Sequence, residues 1–75
     1  MIIETVKPDT SISSISLIVR LYNVWAMSQA LYMDESTQEN WVALNLSHTR
    51  LMGALERACW TEDTLDWALA QVEEV

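Results

Sequence analysis

The stretch Ser36–Cys59, STQENWVALNLSHTRLMGALERAC, decides the fold. Within it Trp41, Leu44, His48, Leu51, Leu55 and Ala58 recur at alternating steps of three and four, the spacing of one face of an α-helix. Ser36 with Glu39 predicts a capping box at its start, each side chain taking up a free backbone N–H of the first turn. Val42, Leu46, Thr49 and Gly53 make a second apolar or small stripe, roughly opposite the first. A helix with two such stripes needs cover on two sides and belongs between neighbours.

Toward the N-terminus, Asp9, Ser11 and Ser13 are all good N-caps and predict a helix over about 13–33. Ile15, Ile18, Tyr22, Trp25, Gln29 and Tyr32 form one seam of it, and Leu17, Leu21, Val24, Ser28 and Leu31 a second beside the first. Only Ser16, Arg20 and Asn23 make a polar strip, so more than half of the circumference seeks cover. The turn Met33-Asp34-Glu35 is short enough to make this helix and the next, about 37–59, antiparallel neighbours. Residues 1–10, MIIETVKPDT, show no helical period; Ile2, Ile3, Thr5 and Val6 favour extended backbone and Pro8 biases Lys7 away from helix, which predicts an extended arm.

Toward the C-terminus a third helix is expected over about 62–73. Thr61 can cap it, Glu62 and Asp63 suit its first turn, and Trp60 with Leu65 has the spacing of a hydrophobic staple. Leu65, Ala68, Leu69 and Val72 give its apolar face. No Gly or Pro enforces the boundary, so the alternative of one continuous helix through Thr61 stays open. The fold class is all-α: an antiparallel helical hairpin plus a short third C-terminal helix, dimerising into a helical bundle, as one domain over residues 1–75.

Dimerisation follows from size. A 75-residue chain buries only about 60% of the surface its unfolded form exposes. Yet 51% of the residues are hydrophobic and four are Trp, more apolar surface than a lone three-helix unit hides. Eleven acidic against four basic residues give a formal charge of −7, which repels nucleic-acid phosphates and anionic lipid. Neither direct nucleic-acid nor membrane binding is expected. Ile12–Met33 is apolar, but it contains Arg20, Asn23, Ser28 and Gln29, each costly in hydrocarbon. The single cysteine and the lack of a basic-then-apolar leader lead to the expectation of a cytoplasmic setting.

No catalytic constellation emerges, and an enzyme is not expected. A nucleophile must lie within hydrogen-bond reach of its base. The only His and the only Cys, His48 and Cys59, lie on one helix, about 16 Å apart along its axis. His48 has no second metal ligand three or four residues away, and the only glycine, Gly53, excludes a phosphate-cradling loop. No catalytic residue, metal or cofactor is therefore expected. Gly53 instead marks a close helix approach, and His48 a core or interface position. The dimer-interface candidates are Leu21, Trp25, Trp41, Leu46, His48 and Gly53. Trp25 and Trp41 are also expected to reach the core from the main seams. Trp67 differs: it shares a face with Asp63, Ala70 and Glu74, away from the apolar stripe. This nominates Asp63, Trp67 and Glu74 for binding a protein with a basic surface; the competing reading is that Trp67 covers the hairpin or dimer seam.

The turn Asp34-Glu35-Ser36-Thr37, followed by Trp41, Ala43-Leu44, Leu51 and Ala54-Leu55, resembles small helical-hairpin proteins carried by phages and pseudomonads. That type includes a quorum-sensing anti-activator, a dimer that sequesters a transcriptional activator of its host. The likeness covers about the central forty residues and leaves the N-terminal arm and the Trp60–Val75 segment without counterparts. It implies a phage-derived inhibitor that binds a host regulatory or defence protein, with a transcriptional regulator as one such partner. The alternative is a structural or chaperone-like subunit of a larger assembly.

Overall fold

The computed structural model describes residues 7–73, and they fold into three α-helices. Helix α1 spans Ile12–Asp34, α2 Gln38–Arg57 and α3 Glu62–Glu73. Among the described residues there is no strand, so the fold is all-α. Residues 7–10 have no regular structure; the rest of the expected arm and Glu74 lie outside the described residues.

Helix α1 starts where its serines and Asp9 combine. Ser11 is the N-cap, its Oγ accepting from the Ser14 N–H at 3.4 Å. Asp9 reinforces it: its carboxylate accepts from the Ser14 hydroxyl at 2.6 Å and from the Ser11 N–H at 3.1 Å. These bonds, that of the Ser14 hydroxyl first, hold the Asp9 carboxyl below its ordinary value of 3.8. The stabilisation is therefore present above about pH 4 and is lost as pH falls through the lowered value.

Residues Glu35–Thr37 link α1 to α2, and here the expected Ser36–Glu39 capping box does not form; only its N-cap bond is made, one residue later. Thr37, not Ser36, caps α2, its Oγ1 accepting from the Asn40 N–H at 3.1 Å. The Ser36 hydroxyl donates back to the Tyr32 carbonyl at 3.0 Å, satisfying an orphan acceptor of the last α1 turn instead. Asn40 Nδ2 closes the turn by donating to the carbonyls of Glu35 at 2.8 Å and Leu31 at 3.4 Å.

Helices α2 and α3 are separate. Cys59 takes a left-handed backbone, φ 58°, although it is not glycine. The Trp60 N–H donates to the Leu55 carbonyl at 2.9 Å and the Cys59 N–H to the Glu56 carbonyl at 3.2 Å, the two bonds of a Schellman motif. Past the break, Thr61 Oγ1 accepts from the Thr64 N–H at 3.4 Å and opens α3.

The core forms at one end. Ile18, Leu51, Ala54, Ala58, Trp60 and Ala68 are buried together, with Ile15, Leu21, Tyr22, Trp25, Leu55 and Leu65 packed around them. Trp60 anchors this end: its indole N–H donates to the Asp9 carbonyl at 2.7 Å, and the Asp9 N–H donates to the Ala58 carbonyl at 2.8 Å. One core expectation fails, since Trp41 is 52% exposed. His48, whose spacing allows a core or an interface position, is exposed as well. Both sit on the correct helical face, but α3 has 12 residues and meets α1 and α2 at the Trp60 end, so that face has no third helix above it at Trp41.

Candidate protein interface

Three surfaces carry the candidate residues. The first is an open groove of about 750 Å³ between α1, α2 and the start of α3, walled by Tyr22, Trp25, His48, Met52, Leu55 and Trp60. Its aromatic rings are tilted against one another: Tyr22 and Trp25 lie 5.7 Å apart at 52°, Trp25 and His48 6.2 Å apart at 45°. Glu56 and Glu62 stand at its margin. Trp41, two turns before His48, extends the same strip of α2.

A second surface lies around α1 and α2. On α2, Leu46 is about 140° from Trp41, and Gly53 about 140° from His48. The six dimer-interface candidates are therefore not gathered on one face: Trp25, Trp41 and His48 belong to the groove side, Leu46 and Gly53 to another side, and half-buried Leu21 borders the core between them. A shallow pocket lined by Leu17, Ala54 and Arg57 shows that the second α1 seam and the Gly53–Arg57 side of α2 meet on the same face. Arg57 donates from Nε to the Gly53 carbonyl at 3.3 Å, laying its stem along this face.

The third surface is α3. Trp67 is 46% exposed. It lines a shallow depression with Pro8, Thr10, Asp63 and Thr64, so Asp63 and Trp67 are neighbours as their spacing predicts.

Sequence reasoning did not single out Met52, Glu56 and Glu62 as parts of the groove, although Met52 follows His48 by one helical turn. It also missed Asn40, for which no local signal exists, because its acceptors belong to the preceding turn and helix.

Chemically these surfaces offer apolar and aromatic contact bordered by carboxylates. Among the described residues no group of three His, Cys, Asp or Glu side chains is placed to hold a metal, and no helix is long and apolar enough to cross a membrane. No protein family, curated protein or solved structure matches the chain.

Proposed function

We propose that this chain is a small acidic association module, a helical hairpin that dimerises into a bundle and works by binding another protein. The observation that carries the reading is uncovered apolar surface. The exposed side chains include Leu17, Val24 and Leu31 on α1 and Trp41, Leu46 and Met52 on α2, too many for isolated surface residues.

The mode of action follows from the resemblance to phage hairpin proteins: inhibition of a host regulatory or defence protein in the cytoplasm. Trp67 beside Asp63 on α3 supports a partner with an apolar pocket ringed by Lys or Arg, the ring giving buried area and the charge speeding encounter. The same uncovered surface supports a second reading, an obligate subunit of a larger assembly.

Light scattering with circular dichroism on the purified chain separates the two. A self-sufficient module gives twice 8.6 kDa at micromolar concentration and a cooperative melt. An obligate subunit is molten or aggregated alone, and a cooperatively folded monomer overturns dimerisation. For the partner surface, Trp67→Ala, or Asp63→Lys with Glu74→Lys, weakens capture of the host protein while dimer mass and melting stay near wild type.

A further inference from the structure

We infer that the second copy docks antiparallel on the hairpin face bearing Leu17, Val24, Leu46 and Gly53, about a two-fold axis passing between Leu21 and Val24 on α1 and between Leu46 and Arg50 on α2. The inference rests on the proposed dimerisation and assigns its face and direction.

Two rows of side chains carry it. On α1, Leu17, Leu21, Val24, Ser28 and Leu31 recur at steps of four and three, the repeat of a helix-packing seam. Leu17, Val24 and Leu31 are about half exposed, so the seam is only partly used within the chain. On α2, Glu39, Ala43, Leu46, Arg50, Gly53 and Arg57 recur at the same steps, beside the core-facing Ser47, Leu51 and Ala54. The pocket shared by Leu17 and Arg57 puts both rows on one side of the hairpin.

The α2 row is complementary to its own reverse. Turned about its midpoint, it sets Glu39 opposite Arg57 of the copy, Ala43 opposite Gly53, and Leu46 opposite the aliphatic stem of Arg50. Opposite charges meet, small residues meet where backbones approach, and an apolar side chain meets a methylene chain. The α1 row reversed in the same way pairs Leu21 with Val24 and Leu17 with Ser28. A parallel arrangement instead gathers Asp34, Glu35 and Glu39 of both copies at one end, which like-charge repulsion disfavours.

One axis can serve both helices only if the two midpoints lie at the same level. They do. The contacts Asp9 to Ala58, Trp25 to His48 and Leu31 to Asn40 fix which residues of α1 and α2 lie abreast. On that scale the gap between Leu21 and Val24 falls beside the gap between Leu46 and Arg50. The result is a four-helix bundle in which each hairpin helix faces its own copy, isologous as a two-fold requires. The aromatic groove and Trp67 remain open to a partner.

Site-directed cross-linking tests the geometry in a Cys59→Ser background, with Ala43→Cys in one sample and Gly53→Cys in another. Position 53 accepts the change, since a Cβ there meets nothing closer than Arg57 Nη2 at 3.9 Å. Oxidation of the mixture is expected to give covalent dimers, and oxidation of either variant alone few. Charge reversal is the second measurement. Glu39→Arg and Arg57→Glu each raise the dimer dissociation constant about tenfold, and the double variant returns to within about threefold of wild type. A dimeric mass with cross-links no more frequent in the mixture, or with charge effects that add, overturns this face and direction but leaves dimerisation standing. A monomeric wild-type chain at micromolar concentration overturns both.

Discussion

At the end of the molecule where α1 begins and α2 finishes, three elements converge: Ile18 from α1, Leu51 and Ala54 from α2 and Ala68 from α3 are buried against one another under Trp60. At the opposite end, where Glu35–Thr37 joins α1 to α2, only two helices are present, and Leu31, Met33 and Trp41 are more than half exposed. Both ends carry large apolar side chains at regular helical spacing. The difference lies in cover, because a helix pair shields one stripe of each helix and a third element is needed to enclose what remains. The closed end is therefore held by burial, and the turn end by directed hydrogen bonds from Thr37, Ser36 and Asn40.

The largest effect that can break this contrast falls on the closed end. Trp60→Ala removes the anchor of the core and is expected to cost about 3–5 kcal/mol, a large part of the roughly 4–11 kcal/mol available to a chain of this length. Urea unfolding followed by circular dichroism should show a midpoint near zero denaturant or no folded baseline. A small shift would mean that Trp60 is not what holds the closed end together.

A smaller effect sharpens the turn end. Asn40→Ala deletes the donor to the Glu35 and Leu31 carbonyls, both near solvent. Stability should fall by about 1 kcal/mol, since water takes over much of the lost bonding. The same titration measures it, and a loss as large as that of Trp60→Ala would erase the distinction between the two ends.

The smallest effect is a gain. Cys59 holds a left-handed backbone that costs a residue with a Cβ about 1–2 kcal/mol. Cys59→Gly removes that strain but adds unfolded-chain entropy worth about 0.5–1 kcal/mol, so a net gain of about 0.5 kcal/mol is expected. A lower melting temperature in the variant would show that the Cys59 side chain stabilises the break in some other way.

These three positions also mark where the sequence was readable. The helices and their apolar faces follow from periodicity over 12 to 23 residues, too long a pattern to arise from local chemistry. The α2 cap was read one residue early because Ser36 and Thr37 are equally good caps by type; the choice is made by the Tyr32 carbonyl, which draws the Ser36 hydroxyl away. The break at Cys59 carried no glycine to announce it, and the burial of Trp60 enforces it instead. Trp41 was placed in the core because spacing reports which residues share a face, not how far along that face a neighbour extends. For the candidate surfaces, the adjacency of Asp63 and Trp67 was legible from helical spacing. The groove was not, since it depends on where α3 begins relative to Tyr22 and Trp25.

Asp9 has a consequence for the order in which the chain assembles. Its amide, its carbonyl and its carboxylate each make a separate attachment, to the end of α2, to Trp60 and to the start of α1. The bond to Trp60 spans 51 positions, whereas the contacts across the Glu35–Thr37 turn close loops of nine or fewer. Closing a long loop costs more chain entropy than closing a short one. During synthesis the turn can therefore form as soon as α2 begins to emerge, while the amide and carbonyl of Asp9 wait for residues 58 and 60 to be made.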